Sequence, residues 1–404
     1  MQIKFMEASM KKFFAMMMCM MLLVGSCLMV ACSSEENAEE DSFAVGAIYI
    51  NSQNDTAGYT FAHHQGITKA MEALGLDVQT DLYIVDNVPE DDQQVKDAID
   101  TLAGKGCDII FGISFGYINA MDAAAQEYPD IIFSHGTGYM SNDTNFNNYF
   151  GRIYQARYLA GIAAGYESLE QGNNNIGYVS AWGTEYAETC SGINAFALGA
   201  QSVNPEAVVH VNEIYTWGDQ ELERQAAEIL IDTYDCCVIA QHCDSAQPQL
   251  VAAEQGVYGC GYNSDMSEQA PDAHLTAPIW NWDVYYQLAI ETAMNDAANF
   301  MTVVGNYYGG LAEGFVDISP VSSHVSSEAA AAIEAARELI VSGDWDVFSG
   351  VALSFDETGA MTQADAALVA NDGTEIVAAG GASVEDGVIT GSMNYFVAGV
   401  VQEA

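Results

Sequence analysis

Basic residues are scarce in this chain of 404 residues, which contains 10 lysines and arginines against 56 aspartates and glutamates. Three of the ten lie within the first twelve residues, in a segment that we expect to be removed. The mature chain would then keep seven, namely Lys69, Lys96, Lys105, Arg152, Arg157, Arg224 and Arg337. Such an acidic surface repels phosphate backbones and anionic lipid, so the composition argues against nucleic-acid binding.

Metal and phosphate motifs are also missing from the sequence. No Cys-x-x-Cys pair recurs with histidines at ligand spacing, and aspartates do not cluster as they do in metal sites. Gly309-Gly310 is not followed by Gly-Lys-Ser/Thr, so it indicates a turn and not a phosphate loop. His63-His64 lies inside a predicted helix and is interpreted as structural. We therefore expect a protein with no metal, no cofactor and no catalytic activity; a nucleoside hydrolase or an esterase is the enzymatic alternative.

The N-terminus has the pattern of an export signal. Lys11 and Lys12 precede an apolar run of 12 residues, 13–24, which is too short to span a bilayer and suits a signal-peptide core. Residues 29–32, Met-Val-Ala-Cys, resemble a bacterial lipobox, although Met stands at the usual Leu position. The sequence thus predicts a signal peptide at 1–31, lipidation of Cys32 and a flexible acidic tether at 32–42.

Two alternatives to this interpretation stay open, namely a second, weaker lipobox that ends at Cys27 and a plain signal peptide without lipid. Under the favoured interpretation the protein is held at the extracytoplasmic face of the cell membrane by its lipid alone.

Six cysteines follow Cys32, and they permit fifteen pairings that spacing alone cannot separate. Several lie in apolar, strand-like segments, such as Cys236-Cys237-Val-Ile. This context favours buried free thiols over disulfides.

Short apolar runs alternate with amphipathic stretches from residue 43 onward. The first part predicts strands at 44–50, 82–85, 109–113 and 131–134, with helices at 58–74, 92–103 and 118–127. After a long helix at 154–170 the pattern restarts, with strands at 176–180, 208–214, 238–241, 256–261 and 274–279 and with further helices between and after them. Repeated strand–helix units of about 25–35 residues are typical of parallel sheets.

We therefore predict an α/β fold with two doubly wound, Rossmann-like lobes joined by a hinge. The first lobe is expected at about 43–153 plus 277–310, and the second at about 154–276 plus 311–404. In open α/β sheets, ligands bind beyond the carboxyl ends of the strands, so the cleft between the lobes is the expected site.

The predicted strand ends are rich in aromatic, acidic and amide side chains and nearly empty of Lys and Arg. This composition suits a flat, neutral ligand that forms hydrogen bonds. The candidate ligand-binding residues are Asn54, Asp55, Tyr59, Thr60, Ser114, Phe115, Trp182, His242, Asp244, Asp265 and Trp280. Two alternatives stay open: Tyr59, Phe115 and Trp182 as core aromatics, and His242 and Asp244 as helix caps.

Several stretches occur in an order that resembles the basic membrane protein family of ABC-importer solute receptors. They include VGAIYI followed by NDTAGYTFAHHQG, then FGISFGYI, HGTGY, NYFGRIYQARYLAGIAAG, NIGYVSAWG, AQHCDSAQPQLVAAEQGVYGCGYNSDMS and HLTAPIWNW. The resemblance covers essentially the whole mature chain. It implies a type I periplasmic-binding fold that closes over its ligand, and an ABC permease and ATPase as partners of a monomeric receptor.

The resemblance also implies roles for individual residues. In nucleoside-binding members an Asn-Asp pair and an aromatic residue hold the base, and Asn54, Asp55 and Tyr59 match them. Trp182 is the match for the aromatic residue on the opposite base face, and Asp265 for an acid that contacts the sugar.

Trp280 departs from this family pattern, because nucleoside-binding members tend to have a Lys that reaches the ribose at that position. The ligand expected here is therefore a purine, with a free base such as adenine favoured over a nucleoside. A riboflavin-like ligand and a ligand-sensing surface lipoprotein are the alternatives.

Overall fold

Buried strands alternate with helices through the first half of the protein in the computed structural model, which describes residues 43–403. The elements are, in order, β1 (Val45–Tyr49), α1 (Gly58–Ala73), β2 (Leu82–Val85), α2 (Asp92–Ala103), β3 (Ile109–Ile113), α3 (Ile118–Glu127), β4 (Ile132–Gly136), β5 (Phe146–Gly151) and α4 (Ile153–Gln171). The predicted signal peptide, the lipidation site Cys32 and the tether lie outside the described residues.

The second half repeats the alternation and then ends in shorter elements. It comprises β6 (Asn175–Ser180), α5 (Ala187–Gln201), β7 (Val208–Glu213), α6 (Gln220–Tyr234), β8 (Val238–His242), α7 (Gln247–Gln255), β9 (Tyr258–Cys260), β10 (His274–Thr276), β11 (Pro278–Trp280), α8 (Trp282–Asp296), α9 (Phe300–Val303), β12 (Tyr307–Gly309), β13 (Val316–Ile318), α10 (Ser327–Ser342), β14 (Val351–Phe355), β15 (Met361–Asp365), β16 (Leu368–Val369), β17 (Glu375–Val377), α11 (Asp386–Gly391) and β18 (Val400–Gln402).

Two six-stranded sheets organise these elements. The first has the order β12-β5-β4-β3-β1-β2 and the second has the order β10-β9-β8-β6-β7-β18. Neighbouring strands run parallel throughout both sheets. We call the first sheet with its helices the first lobe and the second sheet with its helices the second lobe. The predicted α/β class with two doubly wound lobes is confirmed.

The central strands are largely apolar because both of their faces are buried. Every residue of β1, β3, β4 and β8 is buried, because helices cover both sides of each sheet. Polar caps set the starts of two amphipathic helices that cover the sheets: Asp91 accepts a hydrogen bond from the backbone N–H of Gln94, and Asp219 from that of Leu222. The core of each lobe thus lies between its sheet and its helices.

The chain crosses between the lobes at three places. The first crossing is Arg152, between β5 and α4, and the other two run through β11 and β13, which pair antiparallel with Pro278 opposite Ile318. The single strand predicted at 274–279 is therefore wrong. β10 belongs to the second sheet, and Pro278 has no N–H with which to continue its ladder, so the chain leaves the sheet there.

The six cysteines after Cys32 are all buried, and all are free thiols. The prediction of buried free thiols is confirmed. Burial raises the pKa of all six thiols, to about 12 for Cys107, Cys190 and Cys260 and to about 11 for Cys237. They are therefore protonated and unreactive at neutral pH.

Candidate functional site

Three stacked rings form one side of the cleft at the hinge, and we call them the aromatic stack. His63 of α1 stacks on Trp282 with ring centroids 3.8 Å apart, and Trp282 stacks on Trp280 at 4.5 Å. The indole N–H of Trp280 donates to the hydroxyl of Tyr262 at 3.3 Å, which ties the stack to the second lobe. All three rings are buried, and Phe150 packs against Trp280 with ring centroids 5.0 Å apart, so the stack forms an apolar wall at the junction of both lobes.

The loop after β1 carries the first group of predicted residues. Asn54 is exposed, whereas Asp55 is partly buried and its pKa is raised by burial and by the nearby charge of Asp86. Tyr59 lies edge-on to His63 at 4.3 Å and its hydroxyl donates to the carbonyl of Gly136 at 3.5 Å. Tyr59 thus contacts the aromatic stack, while Asn54 lies at the surface of the loop.

Thr60 follows Tyr59 in the first turn of α1 and is buried. Its hydroxyl has no hydrogen-bond partner among the described residues. An unpaired buried hydroxyl is costly, so this group is available to a ligand or a water molecule.

Ser114 and Phe115 follow β3 within a Gly-x-Ser-x-Gly spacing, Gly112 to Gly116, which is also that of a hydrolase nucleophile elbow. The Ser114 hydroxyl donates to Glu90 Oε1 at 2.6 Å, and His135 Nε2 contacts the carbonyl of Ser114 at 2.7 Å instead of the hydroxyl. The hydroxyl therefore lacks a histidine base, which the motif requires for nucleophilic catalysis. Phe115 remains 49% exposed.

Asp244, which follows β8, meets the first lobe at the start of α1. Its amide neighbour Asn263 donates to Oδ1 at 2.9 Å. Burial raises the pKa of Asp244 to about 7, and the nearby charges of Glu223 and Glu188 add to this effect. The backbone N–H of Tyr59 and the Asn263 amide oppose it. Because α1 and β8 belong to different lobes, this contact shows a closed cleft.

A buried charged cluster, formed by Arg157, Glu188 and His242, lies in the second lobe beside Asp244. Arg157 of α4 is 1% exposed, and its guanidinium lies 3.9 Å from the ring centroid of Tyr262 and donates to the carbonyl of Gln241. His242 is fully buried, with Nε2 at 2.9 Å from Glu188 Oε1. Burial lowers the pKa of His242 to about 4, so the imidazole is neutral near pH 7.

The sequence-based prediction included His242 of this cluster. It missed Arg157, Glu188 and the adjacent Tyr262. One signal for Arg157 was present, since it is the lone charged residue within 153–166, the largely apolar part of α4. Such a charge in a buried helix needs a partner.

Trp182 and Asp265 make their contacts outside the charged cluster. The ring of Trp182 contacts Tyr186 at 5.0 Å and Tyr215 at 5.8 Å, and not the ring of Tyr59. Asp265 is largely exposed, accepts a hydrogen bond from the N–H of Ser267 at 2.9 Å and lies 3.5 Å from His274. The structure thus brings Tyr59 and Asp244 together near the aromatic stack, places Trp182 among aromatic residues of its own lobe, and places Asp265 close to Trp280.

A cavity of about 580 Å³ opens beside the aromatic stack. It runs between α1 and the loop after β9, so both lobes line it. Lining residues include Phe61, Gln65, Asn263, Asp265, Trp280 and Trp282, whereas Tyr59, Thr60, Asp244 and Glu188 do not line it. Its volume falls within the range of small-molecule sites in proteins.

Within residues 43–403, no helix is both long and apolar enough to cross a membrane. Nor does this part of the chain contain a group of three or more His, Cys, Asp or Glu side chains that could hold a metal ion.

Two relatives span most of the chain. A putative ABC transporter glucose-binding protein of Haloferax volcanii is 36% identical over 305 residues, which cover 76% of this chain and 74% of the relative. A purine-binding protein of Brucella abortus is 33% identical over 361 residues, which cover 89% of this chain and 93% of the relative.

Solved structures with low sequence identity share the fold. An ABC transporter solute-binding protein from Aeropyrum pernix has a TM-score of 0.61 at 16% identity and covers 78% of this chain and 93% of its own. A transcriptional activator of the comK gene from Bacillus halodurans has a TM-score of 0.62 at 19% identity, with 75% of this chain and 99% of its own covered.

The family comparison agrees with the fold and the cleft. The Bmp family, described as PnrA-like substrate-binding proteins of ABC transporters, matches residues 43–348. Members of this family act outside the cytoplasm, with a permease and an ATPase as partners, and they bind solutes without transforming them. The chain belongs to this family of ABC transporter substrate-binding proteins.

Proposed function

We propose that this protein binds a purine in the cleft between its lobes, with a free base such as adenine favoured over a nucleoside, and delivers it to an ABC importer. The observation that carries the proposal is the position of Trp280, which stacks on Trp282 at 4.5 Å beside the interlobe cavity. The purine-binding relative, at 33% identity over 89% of this chain, supports the same ligand class.

Trp280 favours a small, flat ligand for two reasons. Its indole continues the aromatic stack and packs against Phe150, so the stack forms a flat apolar wall along which a planar base can lie. Its only polar atom already donates to the hydroxyl of Tyr262. Trp280 therefore fills volume that a ribose would need and offers the ribose no free hydrogen-bond donor.

The charges around the cleft favour a neutral ligand over an anion. Lys69 pairs with Asp283 at 2.7 Å, and Arg152 pairs with Asp386 at 2.6 Å. Arg157 lies beneath the ring of Tyr262. Lys69 and Arg152 are thus paired with carboxylates, whereas Asp244 and the Thr60 hydroxyl can serve a ligand that donates and accepts hydrogen bonds.

Isothermal titration on residues 33–404 tests the proposal. The ligands are adenine, guanine, hypoxanthine, their nucleosides, riboflavin and glucose; glucose is included because the Haloferax relative is named as a putative glucose-binding protein. We expect adenine to bind more tightly than adenosine. A thermal-shift series provides a second readout, because ligand at 100 times its dissociation constant adds about 2.7 kcal/mol of stability. Binding of riboflavin or glucose without any purine binding would refute the ligand assignment.

Attachment to the membrane is the second part of the proposal. The lipobox-like sequence ending at Cys32 supports acylation of that cysteine and an anchor at the extracytoplasmic face of the membrane. Growth with an alkyne-tagged fatty acid should label the wild-type protein, and Cys32→Ala should abolish labelling and release the protein from the membrane. Equal labelling of both forms would assign the lipid elsewhere.

A further inference from the structure

The charged cluster has a geometry that internal packing alone does not explain. Glu188 lies in the first turn of α5, His242 ends β8, and Arg157 reaches them from α4. Although Glu188 Oε1 lies 2.9 Å from His242 Nε2, neither atom has an aligned hydrogen-bond partner among the described residues. Nε and Nη2 of Arg157 are also buried without a partner.

Buried polar groups without partners are expensive. Each lacks the hydrogen bonds that water would supply, and the loss is larger for a charged group, so proteins retain such groups where a ligand or ordered water provides the missing partner. All three side chains of the charged cluster contain buried polar atoms that lack a hydrogen-bond partner. The cluster therefore indicates a polar group that comes from outside the chain.

The Glu188 side chain faces the cleft and the first lobe. It keeps 19% of its surface exposed, whereas His242 behind it is fully buried. Tyr59 and Tyr308 belong to the first lobe, and burial is the main cause of their raised pKa values. The negative charge of Glu188 contributes to both shifts, so this carboxylate acts across the closed cleft on groups of the opposite lobe.

The surroundings keep Glu188 ionised. Burial acts to raise its pKa, but the contact with His242 and the positive charge of Arg157 outweigh it, and the pKa is lowered. The position in the first turn of α5 also stabilises a negative charge. Arg157 and His242 are thus positioning residues that present a fixed acceptor to the cleft.

We propose that Glu188 is the specificity-determining acceptor of the site and receives a hydrogen bond from an N–H group of the bound purine. The inference rests on the proposed function, since it assumes a purine ligand. Free purine bases carry such a donor on the ring, and adenine carries a second on its exocyclic amine. An ionised acceptor selects strongly for a donor, because a ligand without one leaves the buried charge unpaired.

The test combines changes in the protein with changes in the ligand. Glu188→Gln keeps the shape and removes the charge, and Glu185→Gln removes an exposed charge three residues away as the matched control. Each protein is titrated with adenine, with 9-methyladenine, which lacks the ring N–H, and with unsubstituted purine, which lacks the amine. Glu188→Asp, which keeps the charge but shortens its reach, replaces the Gln variant if that variant does not fold.

We expect Glu188→Gln to weaken adenine binding about 10- to 100-fold, as for loss of a buried charged hydrogen bond, with no change in Glu185→Gln. The analogue that lacks the N–H bound by Glu188 should bind the wild type weakly, and its affinity should not fall further in Glu188→Gln. If Glu188 had a purely structural role, the variant would weaken the binding of all three ligands. Adenine affinity within threefold of the wild type, or equal losses for all three ligands, would overturn the inference alone. Failure of the wild type to bind any purine would instead overturn the proposed function.

Discussion

Gly58 and Asp244 touch across the two lobes. A Cβ atom added to Gly58 would lie 2.4 Å from the carbonyl oxygen of Asp244 and 3.1 Å from its Cβ. Gly58 also has a φ of +88°, which side chains rarely adopt. Because Gly58 begins α1 of the first lobe and Asp244 follows β8 of the second, the contact depends on closure of the cleft, and closure depends on a glycine at position 58.

Gly58→Ala should therefore hinder closure. The added methyl group must displace the Asp244 backbone, so we expect the affinity for the ligand to fall at least about tenfold, as for a steric cost of one to two kcal/mol or more. Ligand-induced compaction in small-angle X-ray scattering should shrink or disappear. Isothermal titration provides the affinity.

Gly75→Ala is the matched control for this variant. Gly75 also has a positive φ, +78°, but nothing lies within 4 Å of its added Cβ. Both variants place a side chain at a positive φ and are strained there, but only Gly58→Ala also creates a steric clash between the lobes. Equal affinities for the two variants would contradict the role given to the contact.

Closure should depend on pH through Asp244, whose pKa is about 7 in the closed form because of burial and of the charges of Glu223 and Glu188. In the open form the carboxyl regains solvent, and its pKa falls toward the usual value for Asp. The closed form therefore binds the proton more tightly. The free-energy cost of burying the ionised Asp244 carboxylate is absent below the usual pKa of Asp, about 3.9. It grows as the pH rises and reaches its full value above about pH 7.

We expect ligand affinity to fall roughly 100-fold between pH 5 and pH 8 in the wild type, as for a pKa of about 7 in the closed form and the usual Asp value in the open form. Asp244→Asn should remove that dependence, because an amide does not titrate. Asp265→Asn, at an exposed carboxyl, should keep it. Isothermal titrations at four pH values measure the affinity of each variant. If the affinity of Asp244→Asn still depends steeply on pH, another titratable group causes the dependence.

The six cysteines after Cys32 should not react with thiol reagents while the protein is folded. Their burial as free thiols predicts no rapid labelling by a disulfide reagent at pH 8 and labelling of six thiols per chain in guanidinium chloride. Absorbance of the released thiolate counts the groups. Fewer than six reactive thiols in denaturant without reductant would indicate a disulfide.

The strands and helices of the two lobes could be predicted where burial leaves a simple pattern. β3 at Ile109–Ile113 and α2 at Asp92–Ala103 agree with their predicted ranges, because one is a continuous apolar run and the other is strongly amphipathic. β5 at Phe146–Gly151 was missed, since Asn147 and Asn148 interrupt its apolar pattern. Asn147 is buried there and donates to the hydroxyl of Tyr285, a partner 138 residues away.

The site could be predicted only in part, for a related reason. Strand ends located Asp244 and Trp280, because parallel strands bring their carboxyl ends to one edge. Glu188 and Arg157 were missed because their importance depends on which helices pack together. α4 and α5 are consecutive helices of one lobe, but only the folded structure shows that both side chains converge on His242.

Trp280 provides a direct test of base against nucleoside selection. Trp280→Leu should shorten the aromatic stack and free the space beside Tyr262, so adenine binding should weaken about tenfold through lost apolar contact. Adenosine should lose less or gain, and the adenosine-to-adenine affinity ratio should rise.

Trp345→Leu is the matched control for Trp280→Leu. Trp345 is 7% exposed, against 6% for Trp280, packs on Tyr158 and donates one hydrogen bond to the carbonyl of Val351. The control should lower the melting temperature and leave the affinity ratio unchanged, because it does not touch the aromatic stack. An unchanged ratio in Trp280→Leu as well would mean that this indole does not select the base, and the preference for adenine over adenosine would then have to come from Glu188 or the loop after β1.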